Sequence, residues 1–298
     1  MTAVTFPLFP DQASSNAGSV DAIYGLMVLL TVFFSVAIFL AIAFFAIKYH
    51  RKSEDEVPPE IHGSLALEIT WSVIPLAIVA VIFILGAKIY IAASRPPADA
   101  ATVYVVARQW MWKVQHPEGN SEINELHLPI DRPVKLVMTS EDVIHDFFVP
   151  AFRMKKDVLP GRYTQEWFTP TRLGRYHLFC SQYCGTNHSR MIGWVEVMEP
   201  SDFERWLKGS ARTESMAAVG ERLFARFHCG SCHGDGGSAP RLAGLSGRPD
   251  EAHLREAILH PARAGAKGAM PTYQGQMSET ELLQLIAYVR TLFPEVPR

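Results

Sequence analysis

All four cysteines of this 298-residue chain lie in two short motifs whose spacing is typical of redox cofactor sites. In the first motif, FCSQYCGTNHSRM, Cys180 and Cys184 are followed by His188 and Met191. Thiolate, imidazole and thioether groups are soft ligands that suit copper. A single copper ion needs one thiolate, whereas two thiolates on one loop can bridge two copper ions and share an unpaired electron between them.

A two-copper site of this kind needs a second imidazole, and we expect His145 to supply it. This residue follows the strand-like segment PVKLVMTS, at a loop that a β-sandwich can bring beside the cysteines. Zinc is the alternative metal, since it binds two cysteines and two histidines at similar spacing. Met191 favours copper, because zinc rarely takes a thioether.

The second motif, HCGSCHGDGG, contains the CxxCH pattern of covalent haem attachment. In this pattern Cys229 and Cys232 form thioethers with the haem, and His233 binds its iron. CxxC also occurs in thiol redox sites and zinc sites, so the pattern alone leaves those alternatives open.

Two long uncharged segments near the N-terminus predict membrane-spanning helices. The first covers 26 residues, Ala22–Ile47, and the second covers Ile69–Ala87. At ~1.5 Å per residue, the first exceeds the ~30 Å of hydrocarbon that a helix must cross. It is too long for a cleaved signal peptide and lacks the basic start of one, and buried core helices rarely continue so far without a polar face. We therefore predict a transmembrane helical hairpin over residues 22–94, with spans at about 22–47 and 66–92.

Basic residues predict the orientation of this hairpin. Residues 1–47 contain no Lys or Arg, whereas the loop between the spans begins KYHRK. By the positive-inside rule this loop is cytoplasmic, so the N-terminal tail, residues 1–21, and everything after about Ser94 lie outside. In a bacterium this predicts the inner membrane, with the large C-terminal region in the periplasm. The net charge of −2 shows no basic excess that would indicate nucleic-acid binding.

The outer region divides into a β-like part and a helical part. Short β-like runs between turn residues over 95–200 predict an all-β domain, either a sandwich or a small barrel. The polar stretch 201–217 indicates a linker, and helical patterns over 218–298 predict an all-α domain. The last helix is expected to begin at a capping box formed by Ser278 and Glu281.

The first motif, its upstream histidine, the aromatic run RQWMW and the preceding hairpin together resemble subunit II of cytochrome c oxidase, over residues from about 10 to 200. The resemblance implies a cupredoxin domain that holds the binuclear copper centre called CuA. It implies six ligands by position: bridging Cys180 and Cys184, terminal His145 and His188, the weak ligand Met191, and the carbonyl of Gln182. The family most often has Glu at this last place, with its side chain on a nearby magnesium ion, so the glutamine weakens the case for magnesium.

The segment after the haem motif, APRLAGLSGR, resembles a loop of class I cytochromes c, and this likeness covers about residues 216–298. It implies that the carbonyl of Pro240 orients the histidine ligand and that Arg248 lies near a haem propionate. Met270 would be the sixth ligand of the iron. Met277 is the competing ligand, but its place just before the capping box gives it a packing role.

The likeness to cytochromes c also implies that the final helix packs on the helix containing Gly220 and Phe224. Charge says little about how this domain reaches the copper. Residues 96–200 carry 11 basic and 12 acidic residues, and residues 201–298 carry 12 and 11, so neither domain has a field that would recruit the other. We therefore expect a covalent tether to replace recruitment from solution, by an effective concentration of order mM.

Two further residues have an ordinary interpretation and a functional one. Trp110 and Trp112 alternate along a strand-like segment, so both are expected on one face, where tryptophans usually pack in a core. The resemblance implies instead that Trp110 lies over the copper centre, where electrons enter. Glu68 begins the second span, where the helix dipole favours an acid. In the family, a glutamate three residues before this tryptophan, here Trp71, marks the mouth of a proton channel into subunit I.

The resemblance as a whole implies the electron-accepting subunit of a proton-pumping oxidase. Electrons would pass from a donor to haem c, then to CuA, and then to subunit I, which reduces oxygen to water. The implied partners are oxidase subunits I and III, the membrane, and a cytochrome or quinol-oxidising complex as donor. The same role in a nitric oxide reductase is the alternative. A membrane-anchored copper-delivery protein is a remote one, because it needs neither Met191 nor a haem domain.

Overall fold

The structure is a computed structural model that describes residues 9–57, 60, 63–209, 214–242, 249–262, 264 and 270–293. The chain divides into two compact units. One consists of Gly18–Ala92, and the other consists of Met1–Ala17 together with Ala93–Arg298.

The first unit consists of two long helices, α1 (Ala17–Lys48) and α2 (Leu65–Ala93). Their most apolar windows have mean hydropathies of 2.8 and 2.5, and both helices are long enough to cross a membrane. Their apolar side chains are exposed all round, which suits a lipid environment. The predicted pair of helices is confirmed. Each extends beyond its uncharged run, because helical hydrogen bonding continues through residues such as Lys48 and Glu68.

The β-part of the second unit is a sandwich of two mixed five-stranded sheets. Its strands are β1 (Ala101–Arg108), β2 (Met111–Gln115), β3 (Ser121–Ile123), β4 (Glu125–Pro129), β5 (Val134–Ser140), β6 (His145–Val149), β7 (Met154–Val158), β8 (Thr164–Phe168), β9 (Gly174–Cys180) and β10 (Ile192–Met198). One sheet has the order β3-β2-β1-β5-β8 and the other β4-β10-β9-β6-β7. Parallel pairs join β1 to β5 and β10 to β4, and the other pairs are antiparallel. The all-β cupredoxin-like prediction is confirmed.

The core of the sandwich consists of apolar side chains from the facing sides of both sheets. Its largest fully buried members include Trp112, Phe147, Phe152 and Phe168. The segment before α1 also belongs to the sandwich, since the N–H of Ala13 donates to the carbonyl of Ala151 over 2.9 Å. The end of the predicted N-terminal tail is therefore fixed against the β-domain.

The helical part contains α3 (Pro200–Gly209), α4 (Met216–Arg226), α5 (Cys229–His233), α6 (Glu251–Leu259) and α7 (Glu279–Thr291). The predicted linker over 201–217 is wrong in its first half, where α3 forms. This helix is stabilised by aromatic contacts that the local sequence does not reveal. The Trp206 ring stacks on His127 with centroids 4.5 Å apart, and Phe203 lies 5.9 Å from His116.

Helices α4 and α7 pack closely, as the resemblance to cytochromes c implied. A Cβ atom added at Gly220 would lie 2.0 Å from the carbonyl oxygen of Gln284, so only glycine allows this approach. Beside it, the rings of Phe224 and Tyr288 meet edge to face with centroids 5.4 Å apart. Both reciprocal hydrogen bonds of the predicted capping box at Ser278 are present.

Candidate metal centre and haem site

Strand pairing brings the first cysteine motif to the upstream histidine. Cys180 ends β9, His145 begins β6, and these strands pair antiparallel with Phe147 opposite Cys180. The Cys180 Sγ atom lies 3.9 Å from His145 Nδ1 and 3.8 Å from Cys184 Sγ. His145, which the sequence placed in the site only by its loop position, is therefore in the same cluster as both cysteines.

The loop after β9 supplies the remaining atoms of the cluster. Cys184 Sγ lies 3.5 Å from His188 Nδ1 and 3.9 Å from the thioether of Met191. The carbonyl oxygen of Gln182 lies 3.2 Å from Cys180 Sγ. All six groups named as copper ligands thus converge, and both sulfurs of the cysteines are buried.

The donor set fits a two-copper site better than the zinc alternative. The two sulfurs are 3.8 Å apart, which is less than twice a metal–thiolate bond of ~2.3 Å, so one ion can contact both. A tetrahedral zinc site takes four ligands. Here two thiols, two imidazoles, a thioether and a carbonyl are available, which is a soft set with room for two ions.

Hydrogen bonding sets unequal acidities at the two thiols in the metal-free cluster. Burial raises the pKa of Cys180, but hydrogen bonds with His145 and with the backbone of Asp146 and Gln182 outweigh burial and lower it to about 7. Burial raises the pKa of Cys184 to about 12, and the charge on Cys180 adds to this rise. Ions bind thiolates, so loading the site releases protons.

Asp142 and Gln109 hold the predicted ligands from outside the cluster, and neither residue was predicted from the sequence. The Nε2–H of His145 donates to Asp142 Oδ1 over 2.8 Å, which leaves Nδ1 as the free lone pair facing the cysteines. The backbone N–H of Gln109 donates to Asp142 Oδ2 over 2.7 Å, and its side-chain amide donates to the Cys184 carbonyl over 2.8 Å. The acid three residues before the histidine, in EDVIH, was the available signal.

Trp110 and Trp112 both pack against the core of the sandwich, but only Trp112 lies on a strand. Trp110 lies in the turn between β1 and β2, whereas Trp112 lies on β2 and is fully buried. The turn interrupts the alternation on which the expectation depended. Trp110 is half-buried, and its Nε1–H donates to the carbonyl of Cys184 over 3.3 Å. Beneath it the loop passes at Gly185, where a Cβ atom would lie 3.3 Å from the indole and φ is +116°.

The CxxCH motif forms helix α5, a single helical turn. His233 Nδ1 lies 3.0 Å from the carbonyl oxygen of Pro240, as the resemblance implied. This bond places the ring proton on Nδ1 and leaves Nε2 to bind iron. The chain folds back over the motif, since the N–H of Ala239 donates to the carbonyl of Cys232 over 3.1 Å. These residues fit a covalently held haem.

The two candidate methionines differ in their surroundings. Met277 packs against the core of the helical part, together with Tyr273 and Phe227, so it has the packing role expected of it. Met270 is half-buried and lies outside that core cluster. Its role as the sixth iron ligand stays a prediction. Arg248 lies outside the described residues.

Glu68 stands in the first turn of α2, where its backbone N–H donates to the carbonyl of Ser64 over 3.0 Å. This position agrees with the preference of a helix N-terminus for an acid. The proton-channel role of Glu68 stays a prediction.

Three family models match the chain in order. The transmembrane domain of cytochrome c oxidase subunit II matches residues 3–89, and the periplasmic domain of the same subunit matches residues 120–198. Cytochrome c oxidase, cbb3-type, subunit III matches residues 215–289.

Curated relatives and a solved structure are similar over large parts of the chain. Cytochrome c oxidase subunit 2 of Alkalihalophilus pseudofirmus is 31% identical, with 90% of this chain and 85% of the relative covered. Alternative cytochrome c oxidase subunit 2 of Bradyrhizobium diazoefficiens is 28% identical, with 73% of this chain and 89% of the relative covered. The crystal structure of the periplasmic domain of subunit II of cytochrome oxidase of Bradyrhizobium japonicum is 28% identical with a TM-score of 0.38, covering 39% of this chain and 96% of that domain.

Proposed function

Because the chain belongs to the cytochrome c oxidase subunit II family, we propose that it passes electrons from a C-terminal haem c to a binuclear copper centre and on to the catalytic subunit of an oxidase. The observation that carries this proposal is the convergence of two thiols, two imidazoles and a thioether on one buried loop cluster. The chain itself does no bond chemistry on oxygen.

At the copper site, Cys180 and Cys184 would bridge, His145 and His188 would be terminal, and Met191 would be a weak ligand. When bound, the copper pair supplies a one-electron carrier whose charge is shared by both ions. The protein keeps these donors in place and excludes water from them. Asp142 fixes the His145 ring, and Gln109 ties the cysteine loop to the turn that carries Trp110.

At the haem site, Cys229 and Cys232 would hold the haem covalently, and His233 and Met270 would bind its iron. The haem supplies a second one-electron carrier. The hydrogen bond from His233 to Pro240 keeps the imidazole in one tautomer and orientation. Trp110, which contacts the cysteine loop, is the residue through which we expect electrons to reach the copper.

The cellular location and the partners of the chain belong to the same proposal. We place the chain in a bacterial inner membrane, with the copper and haem domains in the periplasm, because the loop between α1 and α2 carries the basic residues. Partners would be subunits I and III and an upstream cytochrome or quinol-oxidising complex. Glu68 would stand at the mouth of a proton channel into subunit I. The names of the relatives favour oxygen over nitric oxide as the terminal acceptor.

EPR and optical spectra of the full chain in its purified complex test the proposal. We expect hyperfine splitting from two equivalent copper nuclei, beside a low-spin haem c. Cys184→Ser should remove the two-copper signal and keep the haem spectrum. Cys232→Ser should disturb haem attachment and keep the two-copper signal. A single-copper signal, or none, in the unaltered chain would overturn the proposal.

A further inference from the structure

Strand β1 is buried on both of its faces, which is unusual for a two-layer sandwich. Val103, Val105 and Ala107 point into the core between the sheets. Tyr104 and Val106 alternate with them and must point outward, yet both are only 4% exposed. A strand that is apolar on both faces requires a second covering layer.

The covering layer is the helical part of the same chain. Tyr104 and Val106, with Val137 of β5 and Tyr163 beside β8, belong to one buried apolar cluster with residues of α4, α6 and α7. We call the surface formed by these four residues the docking face. The helical residues of the cluster are Met216, Leu223, Leu254, Ile258, Leu259, Leu282, Leu283, Leu285, Ile286, Val289 and Phe293.

A buried arginine on α6 crosses from the helical part to the sandwich. Arg255 is 5% exposed, and its Nη1 donates to the carbonyl oxygen of Gly161 over 2.5 Å. Its Nη2 pairs with Glu279 of α7 over 2.5 Å, and its guanidinium lies 5.4 Å from the ring centre of Tyr163. The guanidinium thus uses one terminal nitrogen to bind its own domain and the other to bind the sandwich.

A second charged contact also joins α6 to the sandwich. The Nζ atom of Lys135 on β5 lies 3.1 Å from Glu251 Oε1 at the start of α6, and Arg290 of α7 pairs with the same carboxylate. Glu251 is 1% exposed, so this pair is largely desolvated. Because Arg290 belongs to the helical part and Lys135 to the sandwich, this one carboxylate joins the two parts.

We propose that the docking face is a dedicated binding surface for this chain's own haem domain, locked by Arg255, and that electrons pass from haem to copper in this docked arrangement without any release step. The inference rests on the proposed function. In the transfer the ferrous haem loses one electron and the oxidised copper pair gains it, so no other reactant is needed. This interface adds to the tether expected from the sequence, because balanced net charges do not reveal the two buried interdomain contacts.

Cleavage of the chain between the sandwich and the haem domain tests the docking directly. A specific protease site is inserted after Thr213 in the full chain within its oxidase complex, and the haem fragment is followed by gel filtration after cleavage. We expect the fragment to stay with the complex. Arg255→Ala should speed its dissociation about 30-fold or more, as for other buried charge pairs. The matched control is Arg226→Ala, which alters an exposed arginine paired with Glu281 within the helical part.

Lys135→Ala, on the sandwich side, keeps the test valid if Arg255→Ala fails to fold, and it should also speed dissociation. Release of the unaltered haem fragment as soon as the chain is cut would overturn the docking proposal.

The rate of electron transfer from haem to copper gives an independent measurement in the uncut chain. After photoreduction of the haem, we expect a rate that is unchanged by solvent viscosity and by salt. A rate that falls as viscosity rises would show that a domain movement limits transfer, against this inference. If the haem reduces no copper while the cleaved fragment still stays bound, the docking stands and the proposed function fails.

Discussion

Asp142 contributes to the copper site without touching either cysteine. One carboxylate oxygen accepts from His145 and the other from the backbone of Gln109. Burial raises the pKa of Asp142, but these hydrogen bonds outweigh burial and lower it, so the group is an anion at neutral pH. An anion at this position makes the imidazole a better donor to a metal and holds its ring orientation.

We therefore predict that Asp142→Asn weakens copper binding about 10- to 100-fold. The amide keeps the size of the side chain but loses its charge and can present an N–H to His145. Competition with a chelator of known affinity measures the change. Glu141→Gln is the control, because Glu141 is adjacent and pairs with Lys113 at the surface. Equal losses in both variants would contradict a specific role for Asp142.

The groups that converge in the cluster could be predicted from the sequence, but the residues that hold them in place could not. Cys180 to Met191 lie on one loop, so the type and spacing of their side chains carry the chemistry. Gln109 reaches a carbonyl 75 positions away, and such a contact exists only once the sheets have formed. The same holds for Trp110, whose place in a turn is decided by the pairing of β1 with β2.

Helix α3 is fastened to the sandwich by a buried cluster of His116, Glu122 and His127. Glu122 accepts from His116 Nε2 over 2.9 Å and is also paired with His127, and the Trp206 ring covers both histidines. Burial raises the pKa of Glu122, but the two histidines outweigh burial and lower it to about 2. Burial lowers the pKa of His127, but Glu122 outweighs this and raises it.

These shifts predict a pH window for the stability of α3. The contribution of Glu122 is complete above its ordinary pKa of 4.5 and is lost as pH falls toward about 2. The contribution of His127 is complete below its ordinary pKa of 6.5 and is lost as pH rises through its raised value. Hydrogen exchange in α3, corrected for intrinsic rates, should therefore be slowest between these values. Glu122→Gln should flatten this dependence, and an unchanged profile would count against the cluster.

The contact between α4 and α7 leads to a prediction about packing. Gly220→Ala places a methyl group against the backbone of α7, and overpacking of this kind costs about 1–3 kcal/mol. Denaturant unfolding followed by haem absorbance measures the loss. Gly209→Ala is the matched control, since nothing lies within 4 Å of the added carbon at the end of α3. Equal stability of the two variants would contradict the close approach.

Elements differ in how far local sequence determines them. The last helix begins at the predicted N-cap, Ser278, because a capping box is a contact over three residues. The sequence predicted a linker where α3 forms. Its stabilising partners, His116 and His127, lie about 80 residues earlier in the chain, so the local sequence does not indicate them. Local signals predict helix ends well, and they fail where a distant ring supplies the stability.

Across the whole molecule, the outer region has three layers, with two sheets and then the haem domain. The docking face lies at the boundary between the sheet that contains β1 and the haem domain, and among the described residues its apolar side chains are covered by helices of the C-terminal part. The sequence predicted the domains by composition but not their contact, since the run VYVVA reads equally well as a buried strand of an isolated sandwich.

We predict that ending the chain after Gly209 destabilises the sandwich. The truncation exposes Tyr104, Val106, Val137 and Tyr163, and a buried apolar side chain contributes ~1.5–3 kcal/mol, so the loss from all four should be roughly 6–12 kcal/mol. Denaturant unfolding followed by tryptophan fluorescence measures it. Replacing Val106 by Thr in the truncated chain should reduce the binding of an apolar dye. Unchanged stability after truncation would contradict a shared core.

The spacing of the two copper-site sulfurs has a further consequence when the metal is absent. They lie 3.8 Å apart, and a disulfide bond of ~2.05 Å forms with a small movement of one side chain. Under oxidising conditions the metal-free thiols are therefore close enough to lose two electrons to an oxidant and form this bond, which would block copper binding. Two electrons must first be returned to this pair, which makes filling the site a reductive event as well as a coordination event.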